Sequence, residues 1–186
     1  MPKVLEHMRE TILLAAREAL LHSGYDALTM RGVARACGIA VGTMYNYFPS
    51  KEMLAAAVML EDWQQVCADM RADCERADSA GAGLTAIYGR IARFYDSYRD
   101  VWAGYSFSAS ARMEFSARHH LLVRQLSDIM RPLLSRFDID ASGAVGTFFA
   151  ENILVCAGNS EMTFPAFLSI AERIYTNLNE KSTIKE

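Results

Sequence analysis

Residues 29–51 read Thr-Met-Arg-Gly-Val-Ala-Arg-Ala-Cys-Gly-Ile-Ala-Val-Gly-Thr-Met-Tyr-Asn-Tyr-Phe-Pro-Ser-Lys, and their polar and aromatic side chains recur at helical spacing. At about 3.6 residues per turn, Val41, Met44 and Phe48 share one side of a short helix. Gly42 and Asn46 point the opposite way, flanked by Thr43 and Tyr45. A solvated face on an ordinary short helix carries Lys and Glu, whereas this face is small, polar and aromatic. It suits the major groove of a DNA duplex: a small residue permits close approach, and donors reach base edges and phosphates. The candidate DNA contacts are Thr29, Arg31, Val41, Gly42, Thr43, Tyr45, Asn46, Tyr47 and Lys51. Of these, Thr43 and Asn46 are assigned to bases, and Arg31, Tyr45, Tyr47 and Lys51 to phosphates.

The elements that position this face follow from its neighbours. Thr29 is a good N-cap, Val33, Ala34 and Cys37 give a first short helix its apolar side, and Gly38 can adopt the left-handed conformation that ends it. The second short helix, from about Val41 to Phe48, is stopped by Pro49. Leu5, Met8, Ile12, Ala16, Ala19 and Leu20 recur as in an amphipathic helix that Ser23-Gly24 terminates. It supplies the packing surface that two short helices cannot provide alone.

The stretch resembles the DNA-binding signature of the tetracycline-repressor (TetR) family at Thr29, Val33-Ala34, Gly38-Ile39, Gly42-Thr43-Met44-Tyr45, Phe48 and Lys51. The resemblance covers the N-terminal quarter of the chain. It departs at Ala40, where a capping Ser is usual, and at Tyr47, where His commonly precedes the Phe. It implies that Lys51 contacts the DNA backbone, that the remaining chain encloses a ligand cavity, and that the protein regulates transcription.

Composition supports an all-α fold: 52% of the 186 residues are apolar and only four are proline. The expected architecture is a three-helix head (residues 1–50) and a larger helical ligand-binding and dimerisation body (51–186), about nine helices in all. No apolar run approaches the eighteen or so residues that cross a bilayer, the longest clear one being Met53 to Leu60. No membrane partner is therefore expected, and without a signal-peptide pattern the expected location is the cytoplasm. Cys37, Cys67, Cys74 and Cys156 lack CxxC spacing and are expected to be small buried thiols. The net charge of −3 hides an asymmetry: residues 1–51 hold six basic against four acidic residues, and the remainder thirteen against eighteen. A mildly basic head on an acidic body fits a protein that touches DNA at one end.

In the body, a connector helix begins at Ser50-Lys51-Glu52, a loop is expected at 77–83, and four further helical segments follow, with Pro132 expected to kink or break one of them. The last two, 140–158 and about 162–179, are more apolar around their circumference than surface helices should be. Pairing them with a second copy gives an isologous homodimer interface, for which Phe148, Phe149, Ile153, Phe164, Phe167 and Ile174 are the candidates. The resemblance's ligand cavity is assigned to Trp63, Tyr88, Tyr95, Trp102, Tyr105, Met113, His119 and Asn152, for a small apolar or aromatic effector. No metal, nucleotide or nucleophile motif appears. The adjacent His119 and His120 diverge by about 100° on a helix, so no enzyme activity, metal or cofactor is expected. The alternative to a regulator is a helical sequestering protein whose head no longer reads DNA, a reading that rests on Ala40 and Tyr47.

Overall fold

A computed structural model describes residues 2–104, 109–139, 143–158 and 161–183. Nine helices and no strand occur among the described residues: α1 (Pro2–Ala27), α2 (Met30–Ala36), α3 (Val41–Tyr47), α4 (Lys51–Arg76), α5 (Ala80–Ser97), α6 (Arg99–Gly104), α7 (Ala109–Arg136), α8 (Ala144–Ala157) and α9 (Phe164–Thr183). The all-α expectation therefore holds. No described helix is long and apolar enough to cross a membrane.

The chain divides into two compact units, Met1–Gln64 with Asp96–Ser106, and Gln65–Tyr95 with Phe107–Glu186. Residues 51–64 of α4 thus pack with the expected head.

In the first unit α1 packs on α2 and α6, and α2 on α3. Ile12, Leu13, Ala16 and Leu20 of α1 are buried with Leu54, Ala55 and Val58 of α4. Gly24 (φ 78°, ψ 174°) breaks α1 where the Ser23-Gly24 signal predicts. Polar contacts join α1 to α4 beside this core. Arg17 Nε donates to Asp62 Oδ1 at 2.6 Å and Arg17 Nη2 to Glu61 Oε2 at 3.2 Å, while Arg9 Nη1 reaches Glu61 Oε1 at 3.3 Å. The hydroxyl of Tyr98, 1% exposed, donates to Asp62 Oδ2.

In the second unit α8 packs against both α7 and α9. The Phe149 and Phe167 rings meet edge to face at 5.7 Å, and Tyr88 stacks on Phe164 with ring centroids 4.1 Å apart. Two expectations are corrected here. The Gly-rich segment expected as a loop is largely helical, because the Ser79 hydroxyl accepts the Ala82 N–H (3.1 Å) and starts α5 early. Gly83 lies within that helix against Leu133, which leaves no room for a side chain: a Cβ there would come within 2.4 Å of Leu133 Cδ2. Of the kink or break expected at Pro132, the break does not occur, since α7 continues to Arg136. Arg136 then donates to the carbonyls of Cys74 (2.9 Å), Glu75 (2.9 Å) and Ala77 (2.6 Å), supplying partners for the C-terminal end of α4.

Burial pushes the Cys67 and Cys74 thiols up to about 11. Both then hold their protons in the native state at a pH where an unfolded thiol has lost its own. Their contribution to stability is complete below the ordinary thiol range and is lost as pH rises towards 11. Burial and the Asp62 hydrogen bond push the Tyr98 phenol up as well, with the same sign. Melting curves are expected to show a Tm that falls between about pH 9 and 11, and less steeply in the Cys67→Ala/Cys74→Ala double variant. An equal fall in the double variant would contradict this assignment.

Candidate nucleic-acid interface

The local geometry of residues 29–51 follows from its caps. Thr29 Oγ1 accepts the Gly32 N–H at 3.0 Å and starts α2. Gly38 sits at φ 67°, with its own N–H on Arg35 O (3.2 Å) and the Ile39 N–H on Ala34 O (3.0 Å). That pair of bonds is a Schellman ending, which needs a residue tolerant of the left-handed region at this point. The turn delivers α3, whose N-cap Ala40 makes no side-chain bond. Phe48 leaves the helix in an extended conformation (φ −137°, ψ 109°), as a residue before proline must. The Ser50 hydroxyl then accepts the Met53 N–H at 3.2 Å and opens α4.

Packing separates the two sides of α3. Met44 is 0% and Phe48 4% exposed, held with Met30, Val33 and Ala34 in the head's core. Gly42, Thr43, Tyr45 and Asn46 are exposed, as are Thr29 and Arg31, and Val41, Tyr47 and Lys51 are half-buried. Gly42 has ordinary helical backbone, and a Cβ there would meet nothing within 4 Å. The fold of this chain does not itself require glycine at that position.

Charge on the head is more selective than its count suggests. Arg9 and Arg17 are committed to Glu61 and Asp62, and Arg9 also lies 5.5 Å over the Phe48 ring. Lys51 Nζ stands 4.1 Å over the Tyr25 ring, and the Tyr25 hydroxyl donates to Glu52 (3.3 Å). Arg31 and Arg35, one turn apart on α2, are exposed and make no ion pair among the described residues. Arg35 is a phosphate candidate that pattern reading missed, since only its lack of an acidic partner distinguishes it from Arg9 and Arg17.

The described members of the expected effector set fall in both units. Trp63 is buried in the first unit, whereas Tyr88, Tyr95, His119 and Asn152 belong to the second. Tyr88 is held by Phe164, His119 Nε2 lies 2.7 Å from Glu151 Oε2, and Asn152 Nδ2 donates to the Phe148 carbonyl of its own helix at 2.8 Å. Tyr105 lies outside the described residues, as do the side chains of Trp102 and Met113. Among the described residues no cluster of His, Cys, Asp or Glu is arranged to hold a metal. The dimer candidates divide by burial. Phe149, Ile153, Phe164 and Phe167 are buried within the chain, Ile174 is half-buried, and Phe148 is 45% exposed.

Two short helices joined by a Schellman turn, the second with one side in the core and the other bare, define a helix-turn-helix DNA-binding head. Residues 12–58 match the model of the bacterial regulatory proteins of the tetR family. That segment, a quarter of the chain, carries the family's DNA-binding domain. It is 37% identical over 67 residues to the transcriptional regulator UidR of Escherichia coli K12, an alignment covering 36% of this chain and 34% of UidR. The chain thus matches about a third of that relative's length. Among solved structures, the TetR-family repressor AlkX from Dietzia sp. DQ12-45-1b aligns with a TM-score of 0.60 and 20% identity over 92% of this chain and 95% of AlkX. The regulator CifR, solved with a 26 bp operator duplex, aligns with a TM-score of 0.52 and 21% identity over 90% of this chain and 95% of CifR. At these identities the structural likeness establishes the fold.

The open space at Gly42 separates stability from recognition. Gly42→Ala is expected to stabilise the head by roughly 0.5–1 kcal/mol through helix propensity, while weakening operator binding by keeping the helix from the groove. Urea denaturation and fluorescence anisotropy on a labelled duplex measure the two. A variant that is more stable and binds equally well would remove Gly42 from the interface.

Proposed function

We propose that the protein is a transcriptional repressor that binds a pseudo-palindromic operator as a homodimer and is released by a small apolar or aromatic effector. The observation that carries this reading is the bare outer side of α3, where Gly42, Thr43, Tyr45 and Asn46 are exposed around a glycine that internal packing does not explain. Thr43 and Asn46 address base edges, and Arg31, Arg35, Tyr45, Tyr47 and Lys51 address phosphates from either side of them. The repressor sense is supported by AlkX and the operator by the CifR complex, both relatives in fold.

One short recognition helix binds weakly, and two related by a twofold axis read a palindrome. The proposed dimer surface is the exposed apolar face of α8 and α9, where Phe148 (45% exposed), Val155 (42%) and Ile170 (49%) supply the anchors. Phe149, Ile153, Phe164 and Phe167 support that face from beneath, and Ile174 lies on α9 beyond Ile170. Phe148→Asp is expected to raise the dimer dissociation constant by at least about tenfold, since it places charge where an apolar side chain would be covered. Sedimentation velocity across a dilution series reads this, and an unchanged dimer would place the interface elsewhere.

The effector acts by differential affinity for two arrangements of the dimer, one with its heads correctly spaced for the operator and one without. Tyr88 and Tyr95 of the second unit, with His119 and Asn152, are the proposed contacts there. The deciding experiment is selection of bound genomic fragments at several salt concentrations. A repressor recovers a palindrome-like site and loses affinity steeply with salt. Recovery of fragments without any common site would sink the reading.

A further inference from the structure

Outside the head, the groove between α7 and α8 is an open cavity of about 670 Å³ lined by polar side chains. His120, Arg124, Ser127 and Arg131 form one stripe along α7, and Thr147 and Glu151 face them from α8. Three of these groups are already engaged. Arg131 pairs with Asp128, Glu151 with His119, and the Thr147 hydroxyl donates to the Gly143 carbonyl at 3.0 Å.

Two are not. Arg124 has no ion pair or hydrogen bond among the described residues, and neither has Ser127. Ser127 is also buried, at 8% exposure. A buried hydroxyl without a partner is destabilising, and native proteins satisfy nearly all such groups. Here the hydroxyl opens onto a groove with a free guanidinium about one helical turn away on the same stripe.

We propose that this groove is a binding site for a small organic monocarboxylate. The Arg124 guanidinium takes the carboxylate, the Ser127 hydroxyl donates to the same group, and Val123 on the wall faces the ligand's short apolar part. Asp128 and Glu151 on the same walls favour a monoanion over a dianion such as phosphate, because the second charge meets two carboxylates. The site does not depend on what the head binds, and its test is independent of operator binding.

The test is an NMR titration of the ¹⁵N-labelled full chain with sodium butyrate at constant ionic strength, with inorganic phosphate as the competing arm. Butyrate is expected to give saturable shifts confined to amides of residues 120–131 and 143–151. Arg124→Gln is expected to weaken binding about tenfold or more, the loss of one charge-assisted contact, and Ser127→Ala at least about threefold. Arg131→Gln, whose guanidinium already holds Asp128, is expected to change it less than either. Circular dichroism verifies that each variant is folded; Arg124 is exposed and Ser127→Ala removes one atom. Absence of saturation, shifts elsewhere, phosphate binding as tight as butyrate, or folded Arg124→Gln and Ser127→Ala variants that bind as the parent does would each overturn the proposal.

Discussion

Met44→Ala is expected to destabilise the head by about 2–5 kcal/mol, the range for truncating a fully buried large side chain. Met44 is 0% exposed and is the single buried residue within α3. A seven-residue helix has almost no stability of its own, and Ala40 provides no capping bond to compensate. Whole domains are stable by only about 5–15 kcal/mol, so this loss releases α3 from the rest of the head. Urea denaturation followed by hydrogen exchange at residues 41–48 should show the loss concentrated there, together with loss of duplex binding. A cost below about 1 kcal/mol would mean that α3 is held by something other than Met44.

Asn46→Ala should do the reverse, leaving stability within about 0.5 kcal/mol because the side chain is exposed, while operator affinity collapses. A good side-chain contact to a base edge is worth about 1–3 kcal/mol, and the proposed twofold dimer makes it twice. The expected loss is therefore roughly 30-fold or more, specific to the base pairs that Asn46 faces. Anisotropy titrations on the selected operator and on point-substituted duplexes give the answer. A loss that is uniform over all duplex sequences would assign Asn46 to phosphates instead. Together the two substitutions separate what holds α3 in place from what it presents.

Much of the head was legible from residue types because its determinants are local. The Thr29 cap, the left-handed Gly38, the extended Phe48 before Pro49 and the break at Gly24 each depend on residues within a few positions. The alternation of buried Met44 and Phe48 with exposed Gly42 and Asn46 follows from helical periodicity alone. Segment ends were less legible where a distant group decided them. Glycines at 81 and 83 suggest a loop, yet Ser79 caps the segment and Leu133, fifty positions away, leaves no room for a Cβ at Gly83.

Sequence by itself thus determined the helical class, the helix-turn-helix and the side of α3 that faces outward, since periodicity, caps and turn residues act over one or two turns. Tertiary structure alone decided which charges remain available. Arg17 meets Asp62 45 positions away, so it is spent inside the protein, while Arg31 and Arg35 are left outside. It also decided which apolar residues of α8 are core, Phe149 and Ile153, and which are surface, Phe148 and Val155. An amphipathic pattern marks a helix's apolar residues, but which of them a neighbouring helix covers depends on where that helix packs. The Arg124 and Ser127 pair became visible for the same reason: burial without a partner is a property of the folded chain.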